Sequence, residues 1–345
     1  MVVPAAARTT CSLTTGLHQA ALAAAGQAGD RAGQAGALNE LGFLQRAPGD
    51  FPAAAASHQQ ALDLYRALGD RVGQASALDN LGRAQLETGD YPAAAASCQQ
   101  ALALYRDLGH RTGQAMATGN LGIVQSLTGD YPPATASQQQ ALGIFRDLGH
   151  RMGQAMATGN LGEVQRLTGD YPAAAASCQQ ALHMFRDLGD RQGQAMATGN
   201  LGELQLRTGD YPAAAASLTQ ALGMFRDLGY RDGQAEVLNH LGKVLARSGD
   251  SDRAWDYHAE ALAVAREISA PLEEARALEG LGQCLLRHGD PGDAAAHWQQ
   301  ALAIYERIGA PDARRIREAL RQYGITTAPS PPSGESRQRG APTAP

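Results

Sequence analysis

Apolar positions in this chain fall in short stripes separated by turn signals. Across residues 71–110 the first stripe is Ala75, Leu78, Leu81, Gly82 and Ala84, and the second is Ala94, Cys98, Ala101, Leu102, Tyr105 and Leu108. Each has the three-and-four spacing of one helix face. Between them stands Gly89-Asp90-Tyr91-Pro92. Gly89 suits the left-handed conformation that closes a helix, Asp90 suits a cap on the next, and Pro92 suits its first turn, where amide donors are free. Gly109 closes the second stripe in the same way. The pattern predicts a helical hairpin with no strand.

The hairpin is copied. A Leu-Gly step recurs at Leu41, Leu81, Leu121, Leu161, Leu201, Leu241 and Leu281, always forty residues apart. A fixed period of this size predicts stacked units, each burying its apolar faces against its neighbours. The expected organisation is a flexible segment over 1–11 and an all-α solenoid over 12–323. The solenoid comprises a half unit (12–28), seven full units (31–310) and a charged capping helix (311–323). The Pro-, Ser- and Thr-rich segment 326–345 is expected to be disordered. The Leu-Gly glycines should each cost about 1 kcal/mol inside a helix. A close helix crossing, with Ala134 expected opposite Gly122, would offset that.

Composition adds limits. Net charge is −5 with 29 Lys and Arg against 34 Asp and Glu, so no basic surface announces a nucleic acid or an anionic membrane. Cys11, Cys98, Cys178 and Cys284 have no close pairing, unlike a secreted disulfide framework. No leader pattern opens the chain and no apolar run is long enough to span a bilayer. A cytoplasmic location is expected.

The Leu-Gly, Gly-Asp-Tyr and Ala-Leu landmarks, in this order and spacing, resemble the tetratricopeptide repeat over residues 12–323. Leu81, Gly82, Ala94 and Ala101 match that motif's small and apolar positions. The usual aromatics of the first helix are replaced by Leu78 or Thr118 and by Gln85 or Gln125, and the terminal proline by Arg106. The forty-residue unit, longer than the family's thirty-four, implies a longer second helix. It is similar to the repeats of the Partner-of-Inscuteable and kinesin light chain class, and to the repeat tails of actinobacterial regulators and signal-transduction ATPases. The resemblance implies a right-handed superhelix whose concave wall, built from the first helices, grips a peptide. It places positions such as 76, 79, 80, 83, 86 and 87 on that wall.

Read through the array, position 80 gives Glu40, Asn80, Asn120, Asn160, Asn200, His240 and Gly280. An amide offers both a donor and an acceptor to a peptide backbone; an internal bridge between helices is the competing role. Position 76 reads Ser76, Met116, Met156, Met196 and Glu236; its methionines form a second ladder, adaptable to apolar side chains or filling between helices. Gly119, Gly159 and Gly199 remove bulk beside the asparagines. Arg83, Glu163, Glu203 and Lys243 vary within an otherwise copied unit and are candidate specificity residues, as are Arg166, Arg207 and Arg247 nearby; on a solvated face, drift explains the same variation.

No phosphate-binding loop, dinucleotide fingerprint or nucleophile elbow is present. His18, His58, Cys98, Cys178 and His258 share one repeat position. Equivalent positions stand roughly 10 Å apart, whereas zinc ligands converge to about 2 Å from one ion, so no metal is expected, nor any cofactor or catalysis. The expected function is a protein-interaction scaffold that binds a protein or peptide, with self-association open. The alternative is a sensor piece of a larger regulator, because the array opens on a half unit.

Overall fold

A computed structural model describes residues 5–46 and 49–323, with side chains from residue 16 onward. The segment 326–345 and residues 1–4 lie outside it. Sixteen helices follow one another among the described residues. They are α1 (Ala5–Ala28), α2 (Arg31–Arg46), α3 (Phe51–Leu68), α4 (Arg71–Glu87), α5 (Tyr91–Asp107), α6 (Arg111–Leu127), α7 (Tyr131–Asp147) and α8 (Arg151–Thr168), then α9 (Tyr171–Asp187), α10 (Arg191–Thr208), α11 (Tyr211–Leu228), α12 (Arg231–Ser248), α13 (Ser251–Glu267), α14 (Pro271–His288), α15 (Pro291–Ile308) and α16 (Asp312–Gln322). Helix α1 begins at Ala5, seven residues before the half unit expected at 12, in an alanine run of high helix propensity. The two helices of a unit are nearly equal in length: 16 residues in α2 and 18 in α3, 17 in α4 and 17 in α5, 18 in α8 and 17 in α9.

The turns are built as their residues dictate. Asp90 accepts the Ala93 amide at 3.1 Å, and Gly89 sits at φ 79°. The Leu-Gly glycines lie where the second helix crosses the first: a Cβ at Gly82 would stand 2.8 Å from Cys98 Sγ and 3.3 Å from the Ala94 carbonyl oxygen. At Gly122 the nearest opposing side chains are Gln138 and Ser137, and at Gly162 the Ala174 carbonyl oxygen, in the repeat position of Ala134, stands 3.4 Å from the added Cβ. The shared His/Cys position is therefore the lid over this glycine. Burial pushes His58 down to about 4 and His258 down to about 3, so both rings sit there neutral. Among the described residues no group of side chains is placed to hold a metal ion.

Polar side chains at copied positions repeat one bond in each of the first five units. The Ser97 hydroxyl donates to Gln85 Oε1 at 2.7 Å, and the Ser57, Ser137, Ser177 and Ser217 hydroxyls do the same to Gln45, Gln125, Gln165 and Gln205. These glutamines occupy the place of the family's second aromatic and tie the hairpin by a hydrogen bond. Successive first helices touch one another, whereas no comparable packing joins successive second helices. The first helices thus form the inner wall of a right-handed superhelix.

That superhelix returns onto itself. The turn at Gly49 meets Ile268, the turn at Gly89 meets Ile308 and Pro271, and the turn at Gly129 approaches Pro311. Phe51 is buried among residues of α11–α13, and Tyr91 among residues of α14–α16. The last two second helices end Ile268-Ser269-Ala270-Pro271 and Ile308-Gly309-Ala310-Pro311, where earlier units read Leu-Gly-Asp/His/Tyr-Arg. The charged residues give way to Ala and Pro at the turns that another turn covers.

Candidate functional site: an axial groove

The closed turn surrounds a cavity of about 720 Å³. Its lining crosses the inner wall diagonally. The second unit contributes Arg83, Leu86 and Glu87 from the end of α4, the third and fourth contribute Asn120, Ile123, Asn160, Glu163 and Arg166 from the second halves of α6 and α8, and the last contribute Asp232 and Glu236, Glu273 and Arg276, and Asp312 and Arg315 from the starts of α12, α14 and α16. The slant follows from superhelical rise: a straight axis meets each successive first helix nearer its start.

This slant sorts the sequence candidates. Asn120, Asn160, Asn200, His240, Met196, Arg83 and Glu163 line the cavity, whereas Asn80, Met116, Met156, Glu203 and Lys243 do not. Met116 and Met156 stand on the early half of their helices and are exposed. Lys243 lies half-buried past the slant, and burial, then Arg276, lowers its pKa.

The asparagines divide as well. The Asn80 amide donates to Asn39 Oδ1 at 3.2 Å, and the Asn120 amide donates to Asp79 Oδ1 at 2.9 Å, both one unit back on the neighbouring first helix. At the corresponding places before Asn160 and Asn200 stand Gly119 and Gly159. Neither Asn160 nor Asn200 makes a side-chain hydrogen bond. The internal bridge holds for the first two rungs, and the glycines leave the next two amides facing the cavity.

Around these amides lies a mixed field. Buried Arg166 reaches Glu203 at 2.9 Å and also pairs with Glu163, while His240 Nε2 stands 3.5 Å from Glu203. Burial alone would raise the Glu203 carboxyl, but His240, Arg166 and Lys243 hold it below the ordinary range. Arg276 pairs with Glu273 at 2.6 Å, Arg315 with Asp312 at 2.7 Å, and Arg46 with Glu87. Asp232 and Glu236, one turn apart on α12, have no such partner. Burial, then Glu87 and Glu273, pushes Asp232 up to about 7; burial and Glu273 push Glu236 up to about 8. Glu203 and Arg166 are thus an internal ion cluster, while Asn160, Asn200, Arg83, Asp232 and Glu236 present unpaired polar groups to the groove. On α12 sequence reasoning reached His240, and Glu236 only as the end of the methionine position; it missed Asp232, Glu273, Arg276, Asp312 and Arg315. Their signal is that Asp232, Glu236, Glu273 and Arg276 replace uncharged residues at positions copied without charge in units three to five.

The sequence profile of the tetratricopeptide repeat family matches residues 33–107, 73–147, 153–227 and 233–307. The chain belongs to that family. No curated protein sequence matches it. Among solved structures, a Rap protein complexed with Competence and Sporulation Factor is similar at TM-score 0.65 and 14% identity, over 80% of this chain and 81% of that one. The Rap conjugation gene regulator of plasmid pLS20 in complex with the Phr* peptide is similar at TM-score 0.66 and 17% identity, over 84% and 76%. A signal-transduction ATPase with numerous domains and a tetratricopeptide repeat sensor, from Pyrococcus horikoshii, is similar at TM-score 0.54 and 13% identity, over 77% of this chain and 42% of that one. At these identities the likeness is one of fold. Among the described residues no helix is long and apolar enough to cross a membrane.

Proposed function

We propose that this chain is a non-catalytic interaction scaffold that holds a peptide segment of a protein partner in its axial groove. The observation that carries this reading is the pair Asn160 and Asn200, whose amides point at the cavity with no partner because Gly119 and Gly159 precede them. Buried or half-buried amides favour a hydrogen-bonding partner, and an extended main chain offers one at every residue. Arg83 on one side of the groove and Asp232 with Glu236 on the other give side-chain selectivity. The Rap structures above, each solved with a peptide or factor bound, support the same use of a similar fold.

The groove's charged pairs neutralise one another, which fits a protein or peptide and neither a nucleic acid nor a membrane. The proposed location is cytoplasmic, and no cofactor is invoked. A second reading is that the array is the sensor of a larger regulator; the likeness to the repeat sensor of the signal-transduction ATPase favours it. Both readings use the same groove.

The test is capture of a partner from the native cell. Asn160→Ala combined with Asn200→Ala should weaken capture by roughly 10- to 100-fold, the worth of two hydrogen bonds, with helicity unchanged. Asn80→Ala should leave it intact. Undiminished capture by the double variant would remove the groove from consideration.

A further inference from the structure

The contact that closes the superhelix differs from every other contact in the chain. Neighbouring units meet along whole helices, but across the seam no helix lies along another. Only turns touch: Gly49 on Ile268, Gly89 on Ile308 and Pro271, and Gly129 near Pro311, with Phe51 and Tyr91 inserted beside them. The seam is nonetheless specific. Ile268 and Ile308 are each 2% exposed. Ser269 takes φ 54°, the one left-handed non-glycine among the described residues. The sequence breaks its copied wording at these turns and at no other turn between units four and seven on that edge except Tyr230, which lines the cavity with Glu87.

We propose that this seam is a clasp: it parts to admit the partner segment to the axial groove and recloses around it. In a solenoid each unit contacts only its neighbours, so a small rotation per unit adds up over the array. Between the two sides of the seam lie the units of the middle of the chain, and a slight unwinding of each separates the turns without breaking any helix-to-helix interface. The thin apolar contact is the part of the molecule that opens first, because local opening follows contact density. Closed, the ring encircles what it holds and slows its release; open, it takes an internal segment of a folded partner, which threading along the axis would not allow.

The clasp can be locked. A Cβ at Gly89 would stand 3.3 Å from Ile308 Cβ, close to the roughly 3.5–4.5 Å of a disulfide. In a Cys11→Ser background, the pair Gly89→Cys and Ile308→Cys is combined with Asn160→Cys as a reporter in the cavity. The labelling rate of the reporter is measured with N-ethylmaleimide and with a polymer-bearing maleimide, before and after oxidation of the seam pair. The small reagent should label both states. The polymer reagent should label the reduced protein at least roughly ten-fold faster than the locked one, the ratio expected when access requires local opening. Ile268→Asp, checked for unchanged helicity, should raise the polymer rate without any lock; if it does not fold, Ile268→Ala replaces it. Equal polymer rates in the locked and reduced states would overturn the proposal, as would failure of the seam pair to oxidise. The readout is chemical access to the cavity, not capture of a partner, so failure of the clasp and failure of the binding reading are distinguishable.

Discussion

Two sets of turns in this molecule occupy matched positions of the repeat and differ in what they meet. In the middle of the array Leu148 and Leu188 are 42% and 38% exposed; at the seam Ile268 and Ile308, in the same repeat position, are 2% exposed. On the opposite edge Tyr171 and Tyr211 are half-buried, whereas Phe51 and Tyr91 are buried. Nothing inside the unit accounts for this difference. It comes from the return of the superhelix, which covers the first turns with the last. In a repeat protein the residue at a copied position is thus set by contacts within the unit, except where the whole array brings distant units together. The asparagine rungs follow the same logic. Asn80 and Asn120 are satisfied by the unit before, and Asn160 and Asn200 are not, solely because of Gly119 and Gly159.

Parallel substitutions at matched positions sharpen the contrast. The largest effect is expected for Ile268→Asp, which buries a carboxylate in the seam and should cost about 3 kcal/mol in urea denaturation. Leu188→Asp, on the exposed edge, should stay within about 0.5 kcal/mol; equal costs would mean that the seam is not closed in solution. Next, Gly89→Ala places a Cβ 2.7 Å from Ile308 Cγ2 at φ 79°, whereas Gly169→Ala at φ 85° meets nothing within 4 Å. Both carry the left-handed penalty of about 1–2 kcal/mol, and Gly89→Ala should add about 1–2 kcal/mol of overpacking. Smaller again, Asn120→Ala strips the buried Asp79 of its donor and should cost about 1–2 kcal/mol, while Asn160→Ala should change stability by less than about 0.5 kcal/mol.

The smallest expected effect depends on pH. Unfolded aspartate titrates near 4, and folded Asp232 is held up to about 7. The folded state therefore keeps a proton that the unfolded state has lost, and its stability falls as pH rises from about 4 to about 7 and is level above that. Asp232→Asn should stabilise the protein by about 1 kcal/mol at pH values above the folded pKa, after discounting for solvent screening, and by little below pH 4. A gain that is equal at both ends of that range would mean that Asp232 is not desolvated.

The hairpin and its period were legible in the sequence because they are local: each stripe, cap and glycine acts within one unit or the next. Cys98 over Gly82 and Asp90 over its helix are consequences of short spacing. The seam was not legible, because Gly49 and Ile268 lie more than two hundred residues apart and only the accumulated rotation of the units brings them together. Leu108, assigned to an apolar stripe, sits 36% exposed on the edge for the same reason. The groove was half legible. The asparagine position could be found from the repeat, but which rungs face the cavity depends on the slant, and the charged residues on α12, α14 and α16 enter it only because the superhelix turns back.

The array closes into a ring around an axial groove. A distance measured by pulsed electron resonance between spin labels at Pro52→Cys and Ser269→Cys, in the Cys11→Ser background, tests it most directly. A closed seam predicts a dominant short-distance population that broadens and lengthens on adding Ile268→Asp. A broad, long distribution in the protein without Ile268→Asp would contradict the ring, and with it the enclosed groove.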